Sequence, residues 1–113
     1  MAVEIKVKIE ALRSLAAGSI GAAYMGVGTA IDNPARMILI QNFTDEDLMF
    51  SIDGVDDHFP VRTSTSMIID VSSNKTIDSG FFFEKGTRLY VKEINTPTSG
   101  SVYFTVFYGD SEN

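Results

Sequence analysis

Val102, Phe104, Val106 and Tyr108 alternate with Tyr103, Thr105 and Phe107, so a strand here is apolar or aromatic on both faces, with only Thr105 polar in its middle. Such a strand needs cover on both sides, from a second layer of its own domain or from a neighbouring molecule. A lone sheet with one wet face does not satisfy it.

The remaining pattern points the same way. Val3, Ile5, Val7 and Ile9 alternate with Glu4, Lys6, Lys8 and Glu10, a period of two that puts β-branched residues on one face and charges on the other, as in a half-buried strand. Ala11–Ile31 holds Gly18, Gly21, Gly26 and Gly28, each of which weakens a long helix. A short helical turn within Ala11–Ala17 and a strand through Ile20, Ala22 and Tyr24 are expected there. Asp32-Asn33-Pro34 marks a turn, and Arg36–Gln41 reads as a nearly continuous apolar, central strand. Leu48–Ile52 follows a short polar loop and is expected to form a hairpin with Ile38–Gln41, ending at the Asp53-Gly54 turn. Further extended pieces are expected at Phe59–Arg62, Ser66–Val71, Phe81–Phe83 and Arg88–Ile94, with turns at Ser72–Lys75 and Thr96–Gly100. About eight or nine short strands with turns every ~8–12 residues predict an all-β antiparallel sandwich of jelly-roll type. Residues 1–113 form one domain, in which 1–10 serve as an edge or partner-pairing strand and 109–113 form a loose polar tail.

Composition narrows the chemistry. The 113 residues include no Cys, no Trp and one histidine, His58. A disulfide framework, a thiolate metal site, a thiol nucleophile and a multi-histidine zinc site are therefore excluded. With 9 basic and 15 acidic side chains the net charge is −6 and no basic cluster stands out, which argues against direct nucleic-acid binding. Apolar runs fall well short of the ~20 residues of a membrane helix. The amino terminus carries no signal-peptide pattern, so synthesis in the cytoplasm without membrane association is expected.

Three clusters invite a chemical reading. Asp56-Asp57-His58, with Asp53, suggests acid–base catalysis or a calcium loop. Catalysis lacks a nucleophile, and the calcium pattern lacks both the ligand spacing and a terminal Glu, so an exposed acidic hairpin loop is expected. Asp45-Glu46-Asp47 reads as a solvated loop tip or as a docking contact for a partner's Lys or Arg. The glycines match no phosphate-binding loop. No catalytic residue, metal site or cofactor is expected. The aromatic set Phe81, Phe82, Phe83, Tyr90, Tyr103 and Phe107 is more informative. It fits a core covered on both sides, an assembly interface rich in aromatic anchors, or, with tryptophan absent, less well a carbohydrate platform.

Between Ile38 and Tyr108 the chain resembles small virion structural proteins of tailed bacteriophages. The likeness is carried by Phe50-Ser51-Ile52-Asp53-Gly54-Val55-Asp56-Asp57-His58, Val71-Ser72-Ser73-Asn74-Lys75, Gly80-Phe81-Phe82-Phe83-Glu84-Lys85-Gly86-Thr87 and Gly100-Ser101-Val102-Tyr103. These are strand and turn motifs and transfer no active site. The resemblance implies a non-enzymatic β-sandwich that is part of the virion, as a capsid cement or decoration protein or as a neck or tail ring component. A host-surface glycan-binding module is the alternative from another class. The implied partners are further copies of the chain and the major capsid protein or other virion proteins. Phe81, Phe83, Tyr103 and Phe107 are the expected interface, with Asp45, Asp47, Asp56 and Asp57 as its polar rim. The amino-terminal strand is expected to pair with an exposed sheet edge on a neighbour.

Overall fold

A computed structural model describes residues 4–71 and 83–112. Among these residues nine strands follow in order: β1 Glu4–Ile9, β2 Arg13–Ala16, β3 Met25–Gly26, β4 Ala35–Asn42, β5 Leu48–Ser51, β6 Phe59–Val61, β7 Thr65–Asp70, β8 Tyr90–Glu93 and β9 Ser101–Glu112. They form a five-stranded sheet, with β1 and β2 both against β9, then β4, then β7, and a four-stranded sheet ordered β3-β8-β5-β6. Every pairing is antiparallel. The pairs are nested: β5 with β6, β4 with β7, β3 with β8, and β1 and β2 with β9. Successive nested pairs alternate between the two sheets, and β9–β4 and β8–β5 contacts close each sheet. That winding is the jelly roll.

The core lies between the sheets. Ile38 and Ile40 from β4, Leu48 and Phe50 from β5, Val91 from β8, and Val102, Phe104 and Val106 from β9 are all buried. Each set steps by two along its strand, as a pleat with one inward face requires. Leu15, Ile52, Phe59, Met67, Ile69 and Phe83 close the margins. Gly100, in the turn before β9, has φ +85, and a Cβ there would stand 2.0 Å from the Phe43 carbonyl oxygen, so only glycine fits this corner.

Several expectations are corrected. β4 and β5 do not form a hairpin; they lie in different sheets, because the 43–47 link is a corner of the sandwich. The side chain of Asn42 builds that corner, donating to Val61 O (2.8 Å) and Glu46 O (3.0 Å) and accepting from the Thr44 N–H (3.1 Å). Arg13–Ala16 is strand and not helical turn, a single 3-10 turn occupies Ala17–Ser19, and the strand expected at Ile20–Tyr24 is replaced by the two-residue β3. Residues 109–112 are no loose tail; they extend β9 against β1. The strands expected at Phe59–Arg62 and Arg88–Ile94 form with shortened ends, and that expected at Ser66–Val71 forms one residue earlier, at Thr65–Asp70. Phe81 and Phe82 lie outside the described residues.

The edge made by β1 and β2 is broken by a bulge. β1 pairs with Ile9 opposite Phe107, whereas β2 pairs with Arg13 opposite Phe104, so one extra residue sits on the edge between them. Without it Glu10 and Arg13, three apart, would point to opposite faces. With it both turn inward and form an ion pair of 2.9 Å, with side chains 5% and 7% exposed. Arg13 also donates to Thr29 O and Ala30 O (2.9 Å each), and Glu10 accepts from the Asp32 and Asn33 N–H groups and the Asn33 amide. The bulge thereby ties the 29–33 loop to the edge. Burial pushes the Glu10 carboxyl up, but the Asn33 and Asp32 hydrogen bonds and the Arg13 guanidinium outweigh it and hold the group below its ordinary value.

Candidate interaction face

Residues of the five-stranded sheet that do not point into the core point to its outer side. On β9 these are Tyr103, Thr105 and Phe107; on β4, Met37, Leu39 and Gln41. The register aligns them: Ile9, Phe107, Met37 and, at the β7 end, Asp70 form one row, and Thr105, Leu39 and Ile68 the next. Phe43 continues the face at one end, meeting Tyr103 edge-on with ring centroids 5.8 Å apart. Val7 is 75% exposed, Ile9 60%, Ile68 63% and Phe43 48%, while Met37, Leu39 and Phe107 are half-buried. Among the described residues there is no α-helix to lie over this side, and the second sheet packs on the other. The apolar residues of the outer face are contiguous, which is the pattern of an association surface and not of scattered surface hydrophobes.

The four-stranded sheet presents a different exterior. Lys92 of β8 lies 2.9 Å from Asp57 and 4.8 Å from the Tyr24 ring centroid, the Tyr24 hydroxyl donates to Asp57, and Arg88 stands over the Tyr90 ring at 5.6 Å. Burial and then the bond to Asp57 push the Tyr24 hydroxyl above its usual value, and the Tyr24 and Lys92 hydrogen bonds hold Asp57 below its own. Met49 of β5 and Pro60 of β6 lie in the same row as Lys92, so this side mixes apolar side chains with an ion pair and aromatic rings. Among the described residues, the outer face of the five-stranded sheet carries the longer run of apolar side chains.

The expected interface residues divide accordingly. Tyr103 and Phe107 stand on the apolar face, as an interface needs. Phe83 does not: its backbone bridges Ala35 and it packs against the core, so it closes the sandwich. Phe81 lies outside the described residues. The four aspartates do not form a rim round Tyr103 and Phe107. Asp57 belongs to the opposite exterior, and Asp56 sits in the same 53–58 loop. Asp47 accepts the Thr63 N–H (2.9 Å). Asp45, near the Phe43 end, accepts the Thr98 hydroxyl and N–H and the Ser99 N–H, and these bonds, Thr98's first, hold its carboxyl at about 2. Val7, Ile9, Met37, Leu39, Phe43 and Ile68 complete the face and were not among the expected residues. The signal for three of them was the unbroken run Met37–Ile40 and the apolar stretch at β7, where the residues between core positions are also apolar.

The 53–58 loop is a self-bonded turn. Asp53 accepts N–H bonds from Val55 (2.8 Å) and Asp56 (2.9 Å) and the Ser51 hydroxyl (2.8 Å), which together hold its carboxyl at about 2. His58 Nδ1 accepts the Ile52 N–H (3.1 Å). Asp53, Asp56 and His58 each bring one donor atom within 4.8 Å of the others, all three exposed, but Asp53 Oδ1 and His58 Nδ1 are already engaged by the turn. A shallow open groove lies elsewhere, at the bulge, lined by Leu12, Arg13, Gly28 and Asp32; neither His58 nor Asp57 reaches it. No helix among the described residues is long and apolar enough to cross a membrane. No protein-family model, curated protein or solved structure matches the chain.

Proposed function

We propose that the chain is a structural protein of a tailed-bacteriophage particle, a cement or decoration subunit that binds across capsid subunit boundaries through the outer face of its five-stranded sheet. The observation that carries this reading is the contiguous apolar surface on the outer side of the five-stranded sheet, running from Val7 and Ile9 through Phe107, Met37 and Leu39 to Ile68. Such a face is costly to leave in water, since each Å² of apolar surface removed from solvent stabilises by roughly 25 cal/mol. The role is non-enzymatic. The face binds protein, and many weak contacts repeated by symmetry reinforce the shell. The net charge of −6 favours positive patches on the major capsid protein over packaged DNA.

The test is Phe107→Asp, assayed for binding to shells assembled from the major capsid protein. Wild-type protein is expected to co-sediment with shells. The variant is expected to keep one cooperative unfolding transition while its affinity falls about 30-fold or more, the loss of a central aromatic anchor. Unchanged affinity overturns the assignment of this face. Loss of the cooperative transition would instead make Phe107 a core residue. A ring component of the neck or tail would use the same face but bind portal or tail proteins and not shells. Binding to a host glycan in place of any virion protein would replace the reading altogether.

A further inference from the structure

We infer that the outer edge of β1 is a docking edge for β1 of a second copy of this chain, running antiparallel across a two-fold axis. This deepens the proposed role by naming one partner, and it stands on observations of its own.

The first is the direction of the backbone groups. Glu10 N–H bonds to Val106 O (3.0 Å), which makes Glu10/Val106 a hydrogen-bonded pair and, in the continuous register of β1, Lys8/Tyr108 the next. Pair types alternate along an antiparallel ladder. Ile9/Phe107 and Val7/Gly109 are therefore the non-bonded pairs, and the N–H and C=O groups of Val7 and Ile9 point away from β9. Among the described residues no strand lies beyond β1, which is the last strand on its side of the sheet. These groups form an open ladder of the kind that accepts another strand.

The second is the reach of the ribbon. The register of β4 with β9 stops at Ala35 opposite Tyr108, but β1 continues along β9 as far as Glu112. Beyond Tyr108 the sheet is two strands wide among the described residues. The molecule is correspondingly long, 54 × 23 × 21 Å. Two paired strands alone are marginal in water, and a third or fourth makes such a ribbon stable.

The third is self-complementarity. Residues 4–10 read Glu-Ile-Lys-Val-Lys-Ile-Glu, the same in both directions. An antiparallel copy therefore meets its own alternation, and because the open backbone groups belong to odd-numbered residues, odd pairs with odd. Val7 and Ile9 of both copies then lie on the same side of the joined sheet. Centring the pair on Ile5 sets the acidic position 4 across from the basic position 6 of the second copy, whereas centring it on Lys6 or Val7 sets lysine across from lysine, so charge selects the register. The two five-stranded sheets become one sheet, and the two apolar outer faces become one surface. The closed two-fold arrangement uses both open edges and stops at two.

The experiment is sedimentation equilibrium of the whole chain, wild type and Val7→Pro, together with amide hydrogen exchange. Proline at position 7 removes an N–H that faces the open edge and spares every β1–β9 bond. Wild type is expected at twice the 12.4 kDa chain mass, with slow exchange at Val7 and Ile9 that speeds up on dilution. Val7→Pro is expected at the single-chain mass, with Ile9 exchanging fast at every concentration. Should the variant not fold, the concentration dependence of exchange in the wild type decides alone. A wild type that stays monomeric to ~1 mM, the range of the weakest useful affinities, with fast exchange at Val7 and Ile9, overturns the inference. So does a dimer unaffected by Val7→Pro, or a larger ring, which would mean β1 joins β7 of the next copy. A monomer that still binds shells through Phe107 refutes this edge and leaves the proposed function standing; a dimer with no affinity for any virion protein does the reverse.

Discussion

Replacing Glu10 by Gln keeps the volume and removes the charge, and it tests the idea that the bulge on the β1–β2 edge exists to turn Glu10 and Arg13 inward together. In the native protein one carboxylate oxygen meets the Arg13 guanidinium at 2.9 Å, while the other accepts from the Asn33 N–H at 2.9 Å, the Asn33 amide at 3.0 Å and the Asp32 N–H at 3.1 Å. An amide has a single acceptor oxygen. If it faces Asn33, its NH₂ confronts the Arg13 guanidinium; if it faces Arg13, the NH₂ confronts the loop donors. Loss of a charge-assisted bond costs about 1.5–3 kcal/mol, and a guanidinium 7% exposed is left without its counter-charge. The two together give ~2–4 kcal/mol, a large share of the roughly 5–15 kcal/mol that holds a domain folded. For a chain of this size that lowers Tm by roughly 10–20 °C.

The assay is calorimetric unfolding of both proteins as a function of pH. Hydrogen bonds and Arg13 hold the folded Glu10 carboxyl below its ordinary 4.5, so its contribution is fully present above that value and is lost as pH falls through the lower folded one. The gap between wild type and variant is therefore expected to be full at pH 7 and to close in acid. A Tm difference of less than ~2 °C at pH 7, or a gap of constant size across pH, refutes the reasoning.

Three further outcomes follow from the geometry. Gly100→Ala forces a side chain onto the Phe43 carbonyl at φ +85 and is expected to cost ~3 kcal/mol or to abolish folding, read as loss of the denaturant transition. Asn42→Ala leaves the Val61 carbonyl and the Thr44 N–H at a buried corner without the Asn42 amide, while the Thr44 hydroxyl still reaches the Glu46 carbonyl, and a loss of ~2–4 kcal/mol is expected by chemical denaturation. The Asp45 and Asp53 carboxyls are expected to titrate by ¹³C NMR with midpoints at about 2, so the order they give the 96–100 and 53–58 loops is complete above the unfolded value of 3.8 and is lost only as pH falls through about 2. Midpoints near 3.8 would mean that the two turns are not held in solution.

The two-layer architecture was legible because it rests on local alternation. The doubly apolar β9 demanded two covers, and Val102, Phe104 and Val106 do face the core while Tyr103 and Phe107 face out. Which strands pair was not legible in the same way. The β4–β5 hairpin was expected from sequence nearness, yet in a jelly roll neighbouring strands cross between sheets, and the side-chain bonds of Asn42 that make the crossing give no pattern of period two. β1 is the instructive case. Its alternation is real, but the β-branched side faces out, because nothing in a period of two says which face the core will take. The bulge hides from sequence for a related reason: Glu10 and Arg13 look like opposite-face residues until one residue is slipped between the strands. The aspartates read as a rim on charge alone, whereas Asp45 is held by Thr98 and Ser99, Asp47 by the Thr63 N–H, and Asp57 by Tyr24 and Lys92.

If the chain is a structural part of a phage particle, as proposed, its copy number in purified virions, measured by quantitative mass spectrometry against the major capsid protein, is the most direct test. Hundreds of copies are predicted, as a shell-binding subunit repeated by symmetry requires. About 5–12 copies would place it instead in a vertex, neck or tail ring of cyclic symmetry. Absence from the virion would contradict the account.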